Sequence, residues 1–329
     1  MQRTRTSRLA FFTAHPGGRP PVRLCRVYQQ KTIDSYMELS FNLIAQQLVT
    51  GLALGSIYVL VGVGLSLVFG LLTIVNFAHG AFFMVGAYVG VFVFAKTGNF
   101  WICMVAVPLI TGAIGMLVER VLVRPLYGRG IDYPLLLTFG LAYVMMDLTR
   151  MAFGVQGEPF EAPEALQGAV DIGIGMFPLY RLFLIAVTSV ILFALWLFLE
   201  KTRFGLIVRA GARDPLVLRV LGINVSTVWL AIFGVGTGIA GLAGLLAAPM
   251  RGVSPEMGVP ILIEAFVITV VGGMGSLGGA IAAGLLVGVV VSFTTLFRPE
   301  LAEFSMFALM AITLIFKPNG LLGRKGLMG

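Results

Sequence analysis

The sequence predicts an all-α polytopic membrane protein with eight or nine transmembrane elements, some of them short or discontinuous. Apolar residues make up 58% of the 329 residues and charged residues only 12%. The mean hydropathy of +0.97 is far above that of a soluble domain. Forty-two glycines fit the same class, because small residues let membrane helices approach each other closely.

The first 36 residues differ in composition from the rest of the chain. They hold seven Lys or Arg and one acid, with no apolar run longer than Leu9–Phe12. We therefore expect a basic, disordered extension rather than a signal peptide or a span. An arm that binds anionic lipid or nucleic acid is the less favoured alternative, and no nucleic-acid partner is expected. Met37 is the predicted true start, which N-terminal sequencing of the natural protein tests, and residues 37–329 form the predicted transmembrane domain.

Apolar stretches of about 20 residues mark the candidate spans. They lie at 41–70, 71–95, 100–118, 134–153, 182–199, 226–248, 261–272, 279–297 and 303–316. Cations concentrate in the connections 120–129, 201–219 and 317–325, which the positive-inside rule makes cytoplasmic, together with the C-terminus. The connection 154–180 carries four acids and no cation, and is placed outside.

The N-terminal region leaves a conflict of topology. Two spans within 41–95 would put the N-terminus outside, whereas the basic tail favours the inside. Either the tail is absent from the natural protein or this stretch crosses three times with short, broken helices. The first alternative agrees with a start at Met37 and is favoured.

The stretch LLTIVNFAHGAFFMVGAY, residues 71–88, places an amide and an imidazole inside an apolar run. Buried polar groups need partners, and intramembrane ones usually face other helices or a water-filled path. We therefore take Asn76, Phe77, His79 and Gly80 as candidate substrate-path or gating residues. The alternative is that Asn76 only caps a helix that begins at Phe77.

Residues 273–278 read GMGSLG and separate two short apolar segments. A dinucleotide fingerprint would need a preceding strand and a soluble βαβ unit, which this sequence does not offer. The glycines instead predict a turn or a discontinuous helix that lines a cavity. The residues concerned are Gly272, Gly273, Gly275 and Gly278.

The connection near 200–224 predicts two short helices with apolar faces and basic flanks. Residues 203–212 form the first, and Asp214 with Pro215 is a typical N-cap and first-turn pair for a second at 215–221. An interfacial helix resting on anionic lipid and a docking element for a cytoplasmic partner are both compatible with this pattern.

Five segments resemble the integral-membrane permease of branched-chain amino acid ABC importers, the LivH type. They are Leu43–Tyr58, Ile74–Tyr88 with NFAHG, Phe204–Asn224 with RAGARDP and LGIN, Val271–Gly279 and Lys317–Gly323. The resemblance covers about residues 40–323. Two residues depart from the family pattern: Ala81 stands where many members have Glu, and Glu264 stands where relatives often have a cation. The sequence does not identify a partner for the Glu264 carboxylate.

The resemblance implies a subunit of the bacterial inner membrane that pairs with a homologous second permease. Two cytoplasmic ATP-binding subunits would drive it, and a periplasmic substrate-binding protein would deliver the small-molecule substrate. It assigns ATPase coupling to six residues: Phe204, Gly205, Arg209, Ala210, Arg213 and Asp214. No GxxxxGK[ST] motif occurs in the chain, which agrees with ATP hydrolysis by another subunit.

Branched-chain amino acids are the default substrate of such a permease. Urea, short amides and small carboxylates remain open alternatives, as does a gated channel or secondary transporter. An enzyme is not expected, because no nucleophile with a base and no metal-ligand motif such as HExxH is apparent. The sequence thus predicts no catalytic residue, no cofactor and no metal site.

Overall fold

The computed structural model describes residues 22–323 except 73, 75, 131, 172 and 174, and only the backbone of residues 22–41, 213 and 215. Contacts divide the chain into two units, Met1–Ile44 and Ala45–Gly329. The predicted extension falls largely outside the described residues, and its disorder and the start at Met37 remain predictions. The first helix begins at Val22.

The described residues form eleven α-helices and one two-stranded sheet. The helices are α1 (Val22–Leu72), α2 (His79–Thr97), α3 (Phe100–Val118), α4 (Asp132–Phe153), α5 (Leu179–Lys201), α6 (Arg203–Arg213), α7 (Pro215–Val220), α8 (Val225–Arg251), α9 (Gly258–Gly272), α10 (Leu277–Phe297) and α11 (Ala302–Phe316). The strands are β1 (Ala169–Asp171) and β2 (Met176–Pro178), which pair antiparallel.

Eight helical segments are long and apolar enough to cross a membrane, and α9, with 15 residues, is a shorter apolar helix. The predicted eight or nine elements and the all-helical polytopic class are confirmed. Two such segments, Asn42–Leu72 and His79–Thr97, occupy the stretch in which the sequence allows two or three crossings. The structure therefore supports two crossings there.

The three basic connections gather at one end of the bundle, here called the basic end. Arg124 Nη2 donates to the Ser226 carbonyl at 3.2 Å, joining the first of them to the start of α8. The Leu321 N–H donates to the Val271 carbonyl at 2.8 Å, which brings the C-terminal segment to the end of α9. A Cβ on Gly70, near the end of α1, would lie 3.1 Å from Gly275.

The connection 154–178 lies at the other end, here called the acidic end. It contains the β1–β2 hairpin and a 3₁₀ turn at Glu164–Leu166, neither of which was predicted from the sequence. The Glu158 N–H donates to the Val253 carbonyl at 2.8 Å. Arg150 forms ion pairs with Asp147, three residues earlier on α4, at 3.1 Å and with Glu256 at 2.8 Å.

Glycines form the contact surfaces of the central helices. A Cβ on Gly55 of α1 would lie 3.1 Å from the Gly284 carbonyl oxygen of α10, and Gly112 of α3 stands in the same relation to Gly234 of α8 at 3.0 Å. These glycines therefore lie at the contacts of α1 with α10 and of α3 with α8. Small residues at these points allow backbone-to-backbone packing.

Candidate functional site

The polar stretch around Asn76 forms a break between α1 and α2. Asn76 is 1% exposed, and its Oδ1 accepts a hydrogen bond from the Ala78 N–H at 3.1 Å. Its carbonyl accepts from the His79 N–H at 3.2 Å. The predicted helix start at Phe77 with Asn76 as N-cap is wrong: α2 begins at His79, Ala78 is the N-cap, and Asn76 stabilises the turn before it.

His79 ties this break to the interior of α1. Its Nε2 lies 3.1 Å from the Val61 carbonyl oxygen, and its ring packs against Gly64, where a Cβ would lie 3.1 Å from His79 Cε1. Val61 precedes Leu72, the last residue of α1, by eleven residues, which is about 16 Å along a helix. The helix α2 therefore starts deep within the bundle.

Two buried polar atoms at this break have no hydrogen-bond partner within the described part of the chain: Asn76 Nδ2 and His79 Nδ1. Unpaired buried polar groups are costly, and they occur where a site keeps capacity for another partner. The partner of the imidazole is a carbonyl and not a carboxylate, and the nearby residue Ala81 is a buried alanine that brings no charge. Among the described residues, His79 therefore forms no charge pair.

A second break, residues 252–257 between α8 and α9, meets the first. A Cβ on Gly80 would overlap the Gly258 carbonyl oxygen and Leu262. The Phe77 N–H donates to Thr138 Oγ1 at 3.1 Å, and the Phe77 ring is edge-to-face with Phe139 at 6.3 Å. An apolar cavity of about 60 Å³ lies between the two breaks. Its lining includes Phe77, Ala81, Met84, Pro255, Gly258 and Leu262.

The predicted coupling residues lie on α6 and at the start of α7. Arg209 Nη1 donates to the Leu199 carbonyl at 2.7 Å, and the same group pairs with Glu200 at 2.5 Å. A Cβ on Gly205 would overlap the backbone of Leu199, so α6 folds tightly back on the end of α5.

The remaining coupling residues follow the predicted helices. The Phe204 ring packs on Phe198 at 5.6 Å. Asp214 Oδ1 accepts from the Leu216 N–H at 2.8 Å, which confirms it as the N-cap of α7. Ala210 is partly buried, and Arg213 ends α6 with its side chain outside the described atoms.

The glycine break between α9 and α10 is a turn, as predicted. Gly273 has φ +100° and Gly275 has φ +79°, values that side-chain-bearing residues rarely adopt. Ser276 is the N-cap of α10, its Oγ accepting from the Gly279 N–H at 3.1 Å. Gly272 is the last residue of α9, and its carbonyl accepts from the Leu322 N–H at 3.1 Å.

A cavity of about 740 Å³ brings the coupling helix and the glycine turn together. Arg209 and Ala210 line one wall, and Gly275 and Gly278 line another. The rest of the lining comes from α1 and α5 and includes Ser66, Gly70, Leu71, Trp196 and Glu200. The first break does not line this cavity. The coupling residues and the glycine turn therefore share the larger cavity, whereas the predicted gating residues lie at the smaller one.

Glu264 has a partner that the sequence did not reveal. Arg251, the last residue of α8, donates from Nη1 to Glu264 Oε2 at 3.0 Å and from Nη2 to Oε1 at 3.2 Å. Arg251 Nη2 also lies 3.3 Å from the Tyr58 hydroxyl. The only available signal was that Arg251 and Glu264 are the sole charged residues in α8 and α9.

A second cluster at the basic end was also missed. The Glu119 carboxylate is fully buried and accepts from Arg124 at 3.0 and 3.3 Å and from the Tyr127 hydroxyl at 2.9 Å. Burial, together with the Glu119 charge, raises the pKa of Tyr127 well above its usual range. Glu119 begins a π-helical turn, Glu119–Val123. The residue spacing of this turn differs from that of an α-helix, so α-helical periodicity in the sequence does not predict the cluster.

Comparison with known proteins identifies the family. Residues 47–314 match the family described as the branched-chain amino acid transport system permease component. The chain belongs to this family. It is thus a multi-pass permease, and among its described residues no cluster of three His, Cys, Asp or Glu side chains could hold a metal ion.

Curated relatives cover nearly all of the permease. BraD of Pseudomonas aeruginosa, a high-affinity branched-chain amino acid transport system permease protein, is 32% identical over 297 residues, 85% of this chain and 95% of BraD. LivH of Escherichia coli K12 is 29% identical over 88% of this chain and 98% of LivH. LivM of the same strain, described in the same words, is 30% identical over 81% of this chain and 68% of LivM. No solved structure matches the chain significantly.

Proposed function

We propose that this permease is the membrane subunit of an ABC importer that carries branched-chain amino acids across a bacterial inner membrane. It pairs with a homologous second permease, is driven by two cytoplasmic ATP-binding subunits, and receives its substrate from a periplasmic binding protein. Family membership and the similarity to BraD, LivH and LivM support the substrate and the pairing.

One observation supports this function beyond the family match: α6 and the glycine turn share a cavity at the basic end. Movement of α6 would change the shape of this cavity, because Arg209 and Ala210 form the wall beside Gly275 and Gly278. A short helix placed in this way suits the transfer of ATPase motion to the bundle. The basic end, with the C-terminus, faces the cytoplasm in this proposal, as the positive-inside rule requires.

The first break is the proposed gate. His79 starts α2 deep in the bundle, and Asn76 stabilises the turn before it. The positive end of a half-helix favours an anionic group such as a carboxylate. Phe77 and Gly80 supply the packing against the second break.

Uptake of labelled leucine tests the function. The complete importer, reconstituted in proteoliposomes with ATP inside, should accumulate leucine, and a variant of the ATP-binding subunits without hydrolysis should not. Uptake of urea without uptake of leucine would show that urea, and not a branched-chain amino acid, is the substrate. Leucine uptake that proceeds without ATP hydrolysis would indicate a channel or a secondary transporter instead.

A further inference from the structure

The cluster of Tyr58, Arg251 and Glu264 is not used by the gate or the coupling helix described above. Arg251 and Glu264 form a two-bond pair at 3.0 and 3.2 Å, and the Tyr58 ring lies 5.6 Å from the guanidinium. Each is on a different helix: α1, α8 and α9.

The position of this cluster is unusual for an ion pair. Arg251 and Glu264 are the only charged residues in two consecutive helices that are otherwise apolar. Charges in membrane helices are costly and are retained mostly where they serve a path or a ligand. Tyr58 precedes Val61 by one helical turn, and Val61 holds His79, so the cluster adjoins the proposed gate.

The pair remains open on one side. The Arg251 side chain is 29% exposed and that of Glu264 16%, whereas Tyr58 is 2% exposed. A small polar molecule can therefore reach both charged groups, while Tyr58 stays fixed behind the guanidinium. Tyr58 is placed to hold Arg251 in position if Glu264 turns away.

We propose that Arg251 and Glu264 form a subsite for the zwitterionic head group of an amino acid, with Arg251 binding the carboxylate and Glu264 the ammonium. This inference rests on the proposed function and narrows its substrate class. A planar guanidinium takes a carboxylate through two parallel hydrogen bonds, as it now takes Glu264.

The exchange conserves charge. Without substrate, the two residues neutralise each other; with an amino acid bound, each pairs with an opposite charge of the substrate, and no net charge is added within the bundle. Urea and amides are uncharged, so they cannot pair with either Arg251 or Glu264 when those two residues separate. A simple carboxylate leaves Glu264 without a cation. The subsite therefore selects for zwitterions.

Direct binding tests this subsite. The complex of this permease with its second permease and ATP-binding subunits, in nanodiscs without the binding protein, is titrated with labelled leucine. Unlabelled leucine should compete, whereas leucinamide and 4-methylpentanoate, which each lack one charge, should compete at least about tenfold less well. Equal competition by either analogue would overturn the subsite.

Substitutions provide the second arm. R251Q and E264Q should each weaken leucine binding at least about tenfold. Because a lone buried charge can prevent assembly, the double variant R251Q/E264Q leaves none unpaired and serves as the decisive variant. The control is R298Q, which removes an exposed cation outside both breaks and should leave binding unchanged.

The outcomes separate this subsite from the function on which it rests. Wild-type binding of leucine by an assembled double variant would show a structural clamp between α8 and α9 and overturn the subsite. Leucine uptake by the complete importer, with no leucine binding to the wild-type complex, would overturn the subsite alone. Absence of leucine uptake by the complete wild-type importer would overturn both.

Discussion

His79 Nε2 lies 3.1 Å from the carbonyl oxygen of Val61, which joins the first residue of α2 to α1 at a point eleven residues before the end of α1. This hydrogen bond holds a helix start at a depth where the backbone N–H groups of the first turn have no water to bind. The imidazole therefore positions the break, and its second nitrogen remains unpaired among the described residues.

Replacing His79 by Phe should reduce leucine uptake at least about tenfold, because the ring keeps its bulk but loses its hydrogen bond to Val61. His79→Gln offers an amide N–H at a similar reach and should retain most of the uptake. Initial uptake rates, normalised to the amount of assembled complex, provide the measurement. Equal rates for the two variants and wild type would exclude a gating role for His79.

Replacing Gly80 by Ala should destabilise the permease by about 1–3 kcal/mol, because the new methyl group overlaps the Gly258 carbonyl and Leu262. Gly140→Ala in α4 is the matched control, since nothing lies within 4 Å of a Cβ at that position. Thermal unfolding of the purified complex measures both. A Gly80→Ala variant as stable as Gly140→Ala would contradict the close packing of the two breaks.

Replacing Arg209 by Ala should uncouple transport from ATP hydrolysis. The change removes the hydrogen bond to Leu199 and the ion pair with Glu200, both of which fix α6 on α5. We expect leucine uptake to fall at least about tenfold, with less than about a twofold change in ATPase rate. Arg129→Ala, another cation of the basic end, should change neither rate. If the ATPase rate and the amount of assembled complex both fall with uptake, the variant has failed to assemble and the coupling role is not supported.

The Arg150–Glu256 pair predicts a pH dependence of stability. The hydrogen bond from Arg150 lowers the pKa of Glu256, so the native state favours the ionised carboxylate. The pair therefore stabilises the protein above the ordinary carboxyl pKa, and this contribution disappears as the pH falls through the lowered value.

Glu256→Gln should accordingly lower the unfolding temperature at pH 7, and the difference from wild type should shrink between about pH 5 and pH 3. Glu161→Gln is the control, because that exposed carboxylate has no ion-pair partner within the described residues. A difference between wild type and Glu256→Gln that stays constant over this range would rule out the titration of Glu256 as its source.

The local signals in the sequence predicted much of the fold. Asp214 caps α7, and the glycines at 273 and 275 form the turn, because capping and positive φ depend on neighbouring residues alone. The helix start at His79 was missed by two residues, since Asn76 bonds Ala78 in a turn that competes with a cap.

The candidate site was less predictable where it depends on distant contacts. Arg251 and Glu264 are thirteen residues apart on separate helices, and their pairing follows only from the packing of α8, α9 and α1. The shared cavity of α6 and the glycine turn depends likewise on how α5 and α10 are arranged. Hydrophobic periodicity identifies helices but does not specify their neighbours.

The segment Lys317–Gly323 closes the end of α9, through the bonds of Leu321 to Val271 and Leu322 to Gly272. Its backbone satisfies two carbonyl groups that a helix end leaves open. A reporter or affinity tag inserted directly after Phe316 would therefore break these two hydrogen bonds and destabilise the glycine turn, some forty residues earlier in the chain. Fusions for purification or imaging belong beyond Gly323.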